Sequence, residues 1–351
     1  NVRILSYAQP PLSPSGPSTK RAAAVMMILG LFFGILRAAI REARVKANEI
    51  IEQAHQKYKS NHDGKVADYI PALASYSPNN FAITLATVEG KIYKTGDVTK
   101  AFPMESLSKV FTLALAMEQR GPQEVLDKLG ANATGLPFNS GLAVELTQGA
   151  PENPLVNAGA MSTVSLIAAK DKTDRWNNIL NNLNAWADSS LSVNEPVFQS
   201  EMETNQHNQA LAMLMNSYRS FYGDPQEAVE IYTRQCSVDI TVEQLAKMGA
   251  VLANNGKSPF NGKQLLTASY VPQVLAEMAI AGLYDGSGKW LYTVGIPAKS
   301  GVGGGMVAVV PGQYAIAVYS PPLDAAGNSV RAQQTIEYVA NATRANIFLA
   351  K

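Results

Sequence analysis

A serine and a lysine one helical turn apart form the strongest chemical signal in the sequence. Ser106 and Lys109 stand in the segment Phe-Pro-Met-Glu-Ser-Leu-Ser-Lys, just before an apolar run. Residues three apart are neighbours on a helix, so the amine is expected beside the hydroxyl. A hydroxyl needs a base at neutral pH, and a buried lysine with a lowered pKa can act as one. The pair predicts acyl transfer through a serine ester, although the same spacing also occurs on solvated helices.

A glycine-rich segment late in the chain would complete such a site. Lys299-Ser300-Gly301 is followed by Val302 and three more glycines, ahead of a strand-like run. Glycines let a substrate approach the backbone closely, so the N–H groups of Val302 and Ser106 are expected to form an oxyanion hole. The alternative is a turn that only bends the strand. Together the two motifs resemble the layout of penicillin-recognising serine enzymes, in which such a strand faces a Ser-x-x-Lys helix.

Strand patterns occur at both ends of the globular part. Residues 81–93 alternate around Glu89-Gly90 and predict a β-hairpin. Residues 306–310 and 314–319 predict two further strands, joined by a tight turn at Pro311-Gly312.

Helical patterns fill the middle of the chain. Residues 110–117 are apolar on every side and end before Gly121, as a buried helix would. Helical spacing dominates 158–255, with a capping box at Thr241 and Gln244. The order of elements predicts an α+β fold, in which an antiparallel sheet is flanked by helices and carries a helical subdomain. We assign the sheet lobe to 42–105 and 285–351, and the helical lobe to about 106–284.

The segment before the globular part, residues 1–41, is predicted to be an extension. Residues 1–21 are rich in proline and serine and are expected to be disordered. The apolar run 22–36 follows Lys20-Arg21 and is short for a membrane span. An export signal or membrane anchor at residues 20–40 is the alternative to the cytoplasmic location that we expect.

Composition limits the classes of partner. Lys and Arg total 29 and Asp and Glu total 28 in 351 residues, so no basic field is available for nucleic acid. One cysteine, Cys236, and three histidines without metal-ligand spacing give little support to a metal site. We therefore expect a small-molecule substrate, no metal and no organic cofactor.

At a larger scale the sequence resembles the bacterial glutaminases, which are relatives of serine β-lactamases by fold. The resemblance runs from about Val45 to the C-terminus and rests on several strings in order. These strings begin at Ala67 (ADYIP), Phe102 (FPMESLSK), Asn153 (NPLVNAGA), Ser200 (SE), Asn208 (NQA), Tyr232 (YTRQCS), Gly282 (GLY) and Lys299 (KSGVGGG). The family resemblance implies hydrolysis of the side-chain amide of L-glutamine to glutamate and ammonia. It also implies a homodimer or homotetramer.

The resemblance also assigns the reaction centre. It implies that Ser106 is the nucleophile and Lys109 its base. Tyr69 and Tyr284 would line the reaction centre, and Tyr284 or Tyr232 would pass a proton to the leaving ammonia.

Substrate-binding roles follow from the same resemblance. Asn157, Glu201 and Asn208 would hold the α-amino and α-carboxylate groups of glutamine together with Tyr232, and Val302 would donate its backbone N–H. A buried carboxylate for the ammonium and neutral donors for the carboxylate suit a zwitterionic amino acid.

Other interpretations of these residues stay open. Glu201 and Asn208 are seven apart, a spacing that a solvated helix face also shows. A β-lactamase or D-alanyl peptidase could use the same Ser106–Lys109 pair, although no Ser-Asp-Asn or Tyr-x-Asn follows at the usual place. A glutamine-binding sensor without turnover is the third possibility.

Overall fold

The computed structural model describes residues 19–349, and the chain divides into two compact units between Glu49 and Ile50. Helix α1, Thr19–Tyr58, contributes to both. The predicted disordered segment lies outside the described residues except for 19–21. These three are helical, because they lead directly into the helical run that follows. Within residues 19–349, no helix has the length and apolar character needed to cross a bilayer.

A five-stranded antiparallel sheet forms the framework of the second unit, as predicted. Its strand order is β2-β1-β7-β6-β5, so β5, which carries Lys299 and Ser300, is an edge strand. The predicted hairpin and the predicted turn at Pro311-Gly312 are both present, with Gly312 at φ 74°. The strands are β1 Ala82–Thr87, β2 Ile92–Gly96, β5 Ala298–Ser300, β6 Gly305–Val310 and β7 Tyr314–Tyr319.

Every residue of β6 and β7 is buried, because helices pack on this sheet. Helix α13, Val330–Thr343, contacts both strands, and helix α10, Val242–Ala253, packs across β1, β6 and β7. The predicted capping box at Thr241 and Gln244 starts α10. Helix α10 thus contacts the sheet although it falls within the range assigned to the helical lobe. The lobe boundaries stay a prediction.

Four helices, α3, α5, α6 and α11, contact α2, Ser108–Arg120. This helix is buried along 108–114 and ends at Gly121, as predicted, where φ is 80°. Helices α5 and α6 pack against α2, and α9 packs against α5 and α8. The remaining helices are α3 Pro122–Leu129, α4 Gly141–Leu146, α5 Asn157–Leu166, α6 Lys172–Ala187, α7 Glu195–Thr204, α8 Gln206–Ser217, α9 Pro225–Cys236, α11 Val271–Ala281 and α12 Ser287–Thr293.

A small second sheet positions the segment that leads into α2. Strand β3, Ala101–Pro103, pairs with β4, Asp239–Thr241. The Met104 N–H then donates to the Val238 carbonyl, and a 3-10 turn at Glu105–Leu107 runs directly into α2. The sequence did not predict this pairing, because three-residue strands are too short to show a period. Its effect is to tie the Ser106 turn to the end of α9.

Candidate functional site

The turn that carries Ser106 lies directly against the glycine-rich segment after β5. A Cβ atom on Gly301 would be 2.7 Å from the Met104 carbonyl oxygen, and one on Gly303 would be 2.7 Å from the Pro103 carbonyl oxygen. Distances this short mean that any side chain at either position would force the two backbones apart, so glycine is needed for this close contact. The packing brings Val302 next to the turn that holds Ser106. The two motifs, distant in the chain, therefore form one site.

Lys109 is fully buried in the first turn of α2. Its Nζ donates to the Leu155 carbonyl over 3.0 Å and to Asn157 Oδ1 over 2.7 Å. Burial lowers the pKa of Lys109 to about 7, because the charged ammonium loses its hydration. A substantial neutral fraction at neutral pH is what a general base requires.

Asn157 connects Lys109 to two other predicted site residues. Its Oδ1 also accepts a hydrogen bond from the Tyr232 hydroxyl over 3.2 Å. Its Nδ2 donates to Asn208 Oδ1 over 3.0 Å. The side chain thus bonds to groups from α2, α8 and α9, and orients all three. Asn157 occupies the first position of α5, where the preceding Asn153 holds the chain through its own Oδ1 and the N–H of Leu155.

Tyr284 stands behind Ser106 in a strained backbone conformation. Its φ is 57°, in the left-handed region that non-glycine residues seldom adopt. The phenol is hydrogen-bonded to the Ser106 side chain and donates to the Ser300 carbonyl over 3.3 Å. Burial raises the pKa of Tyr284, so the phenol keeps its proton. A protonated phenol beside the nucleophile is available to deliver that proton.

Glu201 and Asn208 lie on two different helices rather than on one continuous face. Glu201 belongs to α7 and Asn208 to α8, and the two helices are separated at Asn205. The Glu201 side chain is buried, with Oε1 3.3 Å from the Ser237 hydroxyl. Burial raises the pKa of Glu201 to about 7, although hydrogen bonds to Glu105 and Ser237 oppose the rise. The solvated-surface interpretation does not apply to Glu201.

A cleft of about 270 Å³ joins these groups. Its volume lies near the lower end of small-molecule sites, which start at roughly 300 Å³. Seven of the nine predicted site residues line it: Tyr69, Ser106, Asn157, Glu201, Asn208, Tyr232 and Val302. Lys109 and Tyr284 lie behind this wall and reach it through their bonds to Asn157 and Ser106.

Several groups at the site escaped the sequence analysis. Glu105 and Phe138 line the cleft, and the Phe138 ring packs on Tyr284 with centroids 4.5 Å apart. Lys299 donates to the Ser300 and Gly282 carbonyls, over 2.6 and 3.0 Å. The contacts of Phe138 with Tyr284 and of Lys299 with Gly282 join residues far apart in the sequence, so only the position of Glu105 beside Ser106 could have signalled a further site residue.

His207 and Cys236 also line the cleft, although the sequence assigned no chemistry to either. His207 Nε2 lies 2.6 Å from the Asn139 carbonyl oxygen, so this ring nitrogen is engaged in a hydrogen bond to the backbone. Burial raises the pKa of the Cys236 thiol well above its usual range, so it stays neutral. Among residues 19–349, no cluster of three or more His, Cys, Asp or Glu side chains could hold a metal ion.

Comparison with known protein sequences agrees with the geometry of the site. The family model described as Glutaminase matches residues 64–348. A glutaminase from Colwellia psychrerythraea is 52% identical over 299 residues, which cover 85% of this chain and 96% of that protein. A glutaminase from Mycobacterium ulcerans is 49% identical over 310 residues, which cover 88% of this chain and 96% of that protein.

Solved structures give the same result. A probable glutaminase, ybaS, superposes with a TM-score of 0.86 at 48% identity, covering 87% of this chain and 99% of that one. A Bacillus glutaminase superposes with a TM-score of 0.78 at 30% identity, covering 85% and 99%. The predicted serine β-lactamase-like α+β fold is thereby confirmed. The chain belongs to the glutaminase family.

Proposed function

We propose that this protein hydrolyses the side-chain amide of L-glutamine to glutamate and ammonia through an acyl-enzyme on Ser106. The contact between the Ser106 turn and Gly301–Gly303 carries the proposal, since it places the nucleophile beside the glycine-rich turn that follows edge strand β5. One similar solved structure is described as Mglu in its glutamate form, at 34% identity and a TM-score of 0.81 over 85% of this chain and 69% of that one. Glutamate is the product of the reaction proposed here.

Lys109 is the base that activates Ser106. A neutral amine has two N–H donors and one lone pair, and both donors already have acceptors in Leu155 and Asn157. The lone pair is left to take the proton of Ser106 as the hydroxyl attacks the γ-carboxamide carbon. The pKa of about 7 supports this role, because the amine can both accept and release a proton near neutral pH.

The oxyanion is stabilised by the backbone N–H groups of Ser106 and Val302. Both residues line the cleft, and the packing of Gly301 against Met104 sets their spacing. Donors aimed at a developing oxyanion typically contribute a factor of about 10² to 10³ in kcat each.

Tyr284 passes a proton to the leaving ammonia. Its hydrogen bond to Ser106 favours it over Tyr232, whose hydroxyl is held by Asn157. Tyr69 forms the outer wall of the reaction centre, where its side chain is 57% exposed. Water then hydrolyses the ester: the Tyr284 phenolate takes a proton from the attacking water, and the Lys109 ammonium returns its proton to the Ser106 oxygen as the ester bond breaks.

The backbone end of glutamine is held on the opposite side of the cleft. Glu201 in its ionised form meets the α-ammonium group. Asn157, Asn208 and Tyr232 supply neutral hydrogen-bonding groups for the α-carboxylate and its neighbours. The network that joins these three side chains supports a preformed pocket.

Ammonia release by the purified protein tests the function. Glutamine should give turnover, and nitrocefin should not. The Ser106→Ala variant should lose turnover while calorimetry still detects glutamine binding. Ammonia release by that variant would refute the nucleophile, and nitrocefin hydrolysis would favour a β-lactamase. Binding of glutamine to the wild type without turnover would instead identify a sensor.

We further propose a cytoplasmic homodimer or homotetramer without nucleic-acid partners. The free, buried thiol of Cys236 suits a reducing compartment. The near-zero net charge supports the absence of a nucleic-acid partner. Light scattering on the purified protein measures its assembly state, and a monomer would contradict that part of the proposal.

A further inference from the structure

Glu105, the residue before the nucleophile, is held in an unfavourable conformation and environment. Its φ is 50°, in the left-handed region that is unfavourable for a residue other than glycine. Only 3% of its surface is exposed, and its Oε1 has no hydrogen-bond partner among the residues described. Such strain persists only where the surrounding structure demands it, and it is frequent at functional sites.

The glycine-rich segment determines where the Glu105 side chain lies. A Cβ on Gly301 would be 3.3 Å from Glu105 Cβ, and one on Gly303 would be 3.3 Å from Glu105 Cγ. The stem of the side chain therefore packs on the glycine-rich turn that carries Val302. Glu105 also lines the cleft together with Glu201, so the packing places its side chain at the substrate site.

There the Glu105 carboxyl is hydrogen-bonded to the carboxyl of Glu201. Two carboxyl groups can bond to each other only if one of them carries a proton. Burial, and then the charge of Glu201, raise the pKa of Glu105 well above its usual range, whereas the pKa of Glu201 rises only to about 7. Glu201 Oε1 also accepts a hydrogen bond from the Ser237 hydroxyl, whereas Glu105 Oε1 has no partner among the described residues, so Glu105 is the member of the pair that keeps the proton.

The other titratable groups around the pair do not change this order. Lys109 lowers the pKa of Glu105, but less than burial and Glu201 raise it. The remaining groups are a thiol and phenols whose pKa values are raised, so they stay neutral: Cys236, Tyr69, Tyr76, Tyr232 and Tyr284.

We propose that Glu105 is a positioning residue that, as a neutral acid, donates to Glu201 and keeps it as the single carboxylate facing the substrate ammonium. This inference rests on the proposed role of Glu201 in holding glutamine. One negative charge in the pocket matches the one ammonium of a zwitterionic amino acid. A second carboxylate would add repulsion that a single ammonium could not offset.

The first test compares Glu105→Leu with Glu105→Gln across a pH series in the glutaminase assay. Leucine removes the donor, so the Glu201 pKa should rise and the midpoint of the KM–pH curve should move up by about one unit. KM at neutral pH should rise about tenfold with a smaller change in kcat. Glutamine retains an N–H donor and should restore most of the lost affinity. Glu277→Leu removes another buried glutamate away from the cleft and should leave both curves unchanged.

If the Glu105→Leu variant does not fold, the Glu105→Gln variant alone tests whether the Glu105 carboxyl is neutral in the wild type. A neutral acid replaced by a neutral amide should leave the kcat–pH midpoint set by Lys109 unmoved. If Glu105 were ionised, its removal would lower the Lys109 pKa and shift that midpoint down, which would overturn the proposal. An unshifted KM–pH curve in a folded Glu105→Leu variant would overturn it as well.

Glu201→Gln separates this inference from the proposed function. If Glu201 binds the substrate ammonium, this variant should raise KM strongly whether or not Glu105 positions Glu201. A raised KM there, together with wild-type pH curves in both Glu105 variants, would reject the positioning role alone. An unchanged KM in Glu201→Gln would reject the role of Glu201 and the inference with it.

Discussion

Replacing Gly301 by alanine tests the contact on which the proposed mechanism depends. The new Cβ would lie 2.7 Å from the Met104 carbonyl oxygen, and 3.3 Å from both Glu105 Cβ and Leu107 Cγ. The Met104 backbone cannot easily move away, because its own N–H is bonded to Val238. The displacement must therefore fall on Gly301 and on the adjacent N–H of Val302.

The size of the effect follows from these distances. Ordinary carbon–oxygen contacts are about 3.3 to 3.6 Å, so the turn that carries Gly301 must retreat by roughly 0.6 Å or more. Catalytic groups tolerate misplacement of only about 0.5 Å, and a displacement of about 1 Å can cost about 100-fold in rate. We expect kcat to fall by roughly 30- to 100-fold, and stability to fall by about 1–3 kcal/mol from overpacking. KM should change little, because Glu201 and Asn208 lie on other helices.

Gly288→Ala provides the matched control. Gly288 is exposed on α12, and a Cβ there would meet no described atom within 4 Å. Alanine in a helix should stabilise the protein by about 0.5–1 kcal/mol and leave kcat unchanged. Ammonia release at saturating glutamine gives kcat, and thermal unfolding shows that each variant is folded. A folded Gly301→Ala variant with the kcat of the control would show that Val302 is not part of the oxyanion hole.

Three further predictions concern buried polar groups. At saturating glutamine, kcat should rise with pH through about 7, because Lys109 acts as a base only when neutral; a flat profile from about pH 6 to 8 would contradict this role. Tyr232→Phe removes the donor to Asn157 Oδ1 and should raise KM by about three- to tenfold; an unchanged KM would separate Tyr232 from substrate binding. Glu277 is 6% exposed, and its Oε2 has no hydrogen-bond partner within the described part of the chain, so burial raises its pKa to about 8. The neutral carboxyl contributes its full stabilisation below about pH 4.5, and this contribution is lost as pH rises towards 8 because the buried group must ionise. From about pH 5 to pH 7, the free energy of unfolding of Glu277→Gln should therefore rise relative to that of the wild type by on the order of 2–3 kcal/mol. The same difference between variant and wild type at both pH values, in denaturant titrations, would refute this prediction.

Much of the local structure was predictable from the sequence, because it depends on contacts within a few residues. The capping box at Thr241 and Gln244 and the turn at Pro311-Gly312 are examples. The end of α2 at Gly121 is another, since glycine alone adopts positive φ there without strain. The order of these elements was enough to predict the antiparallel sheet.

Candidate site residues could be named from motifs, but their environments could not be predicted. The spacing of Ser106 and Lys109 indicates a catalytic dyad. The lowered pKa of Lys109, however, depends on the elements that bury it, and its ammonium donates hydrogen bonds to Leu155 and Asn157, which lie far along the chain. Seven-residue spacing could not show that Glu201 and Asn208 belong to separate helices.

The sequence by itself determined much of the secondary structure, the sheet class, the family and the residues able to do chemistry, because each of these depends on short motifs or on a local periodicity of apolar residues. Only the tertiary structure decided which buried groups share protons. No sequence motif assigns a role to Glu105, but folding brings its carboxyl group within hydrogen-bonding distance of the carboxyl group of Glu201. Burial and the charges of residues distant in the sequence set those protonation states, and no local sequence pattern reports either of them.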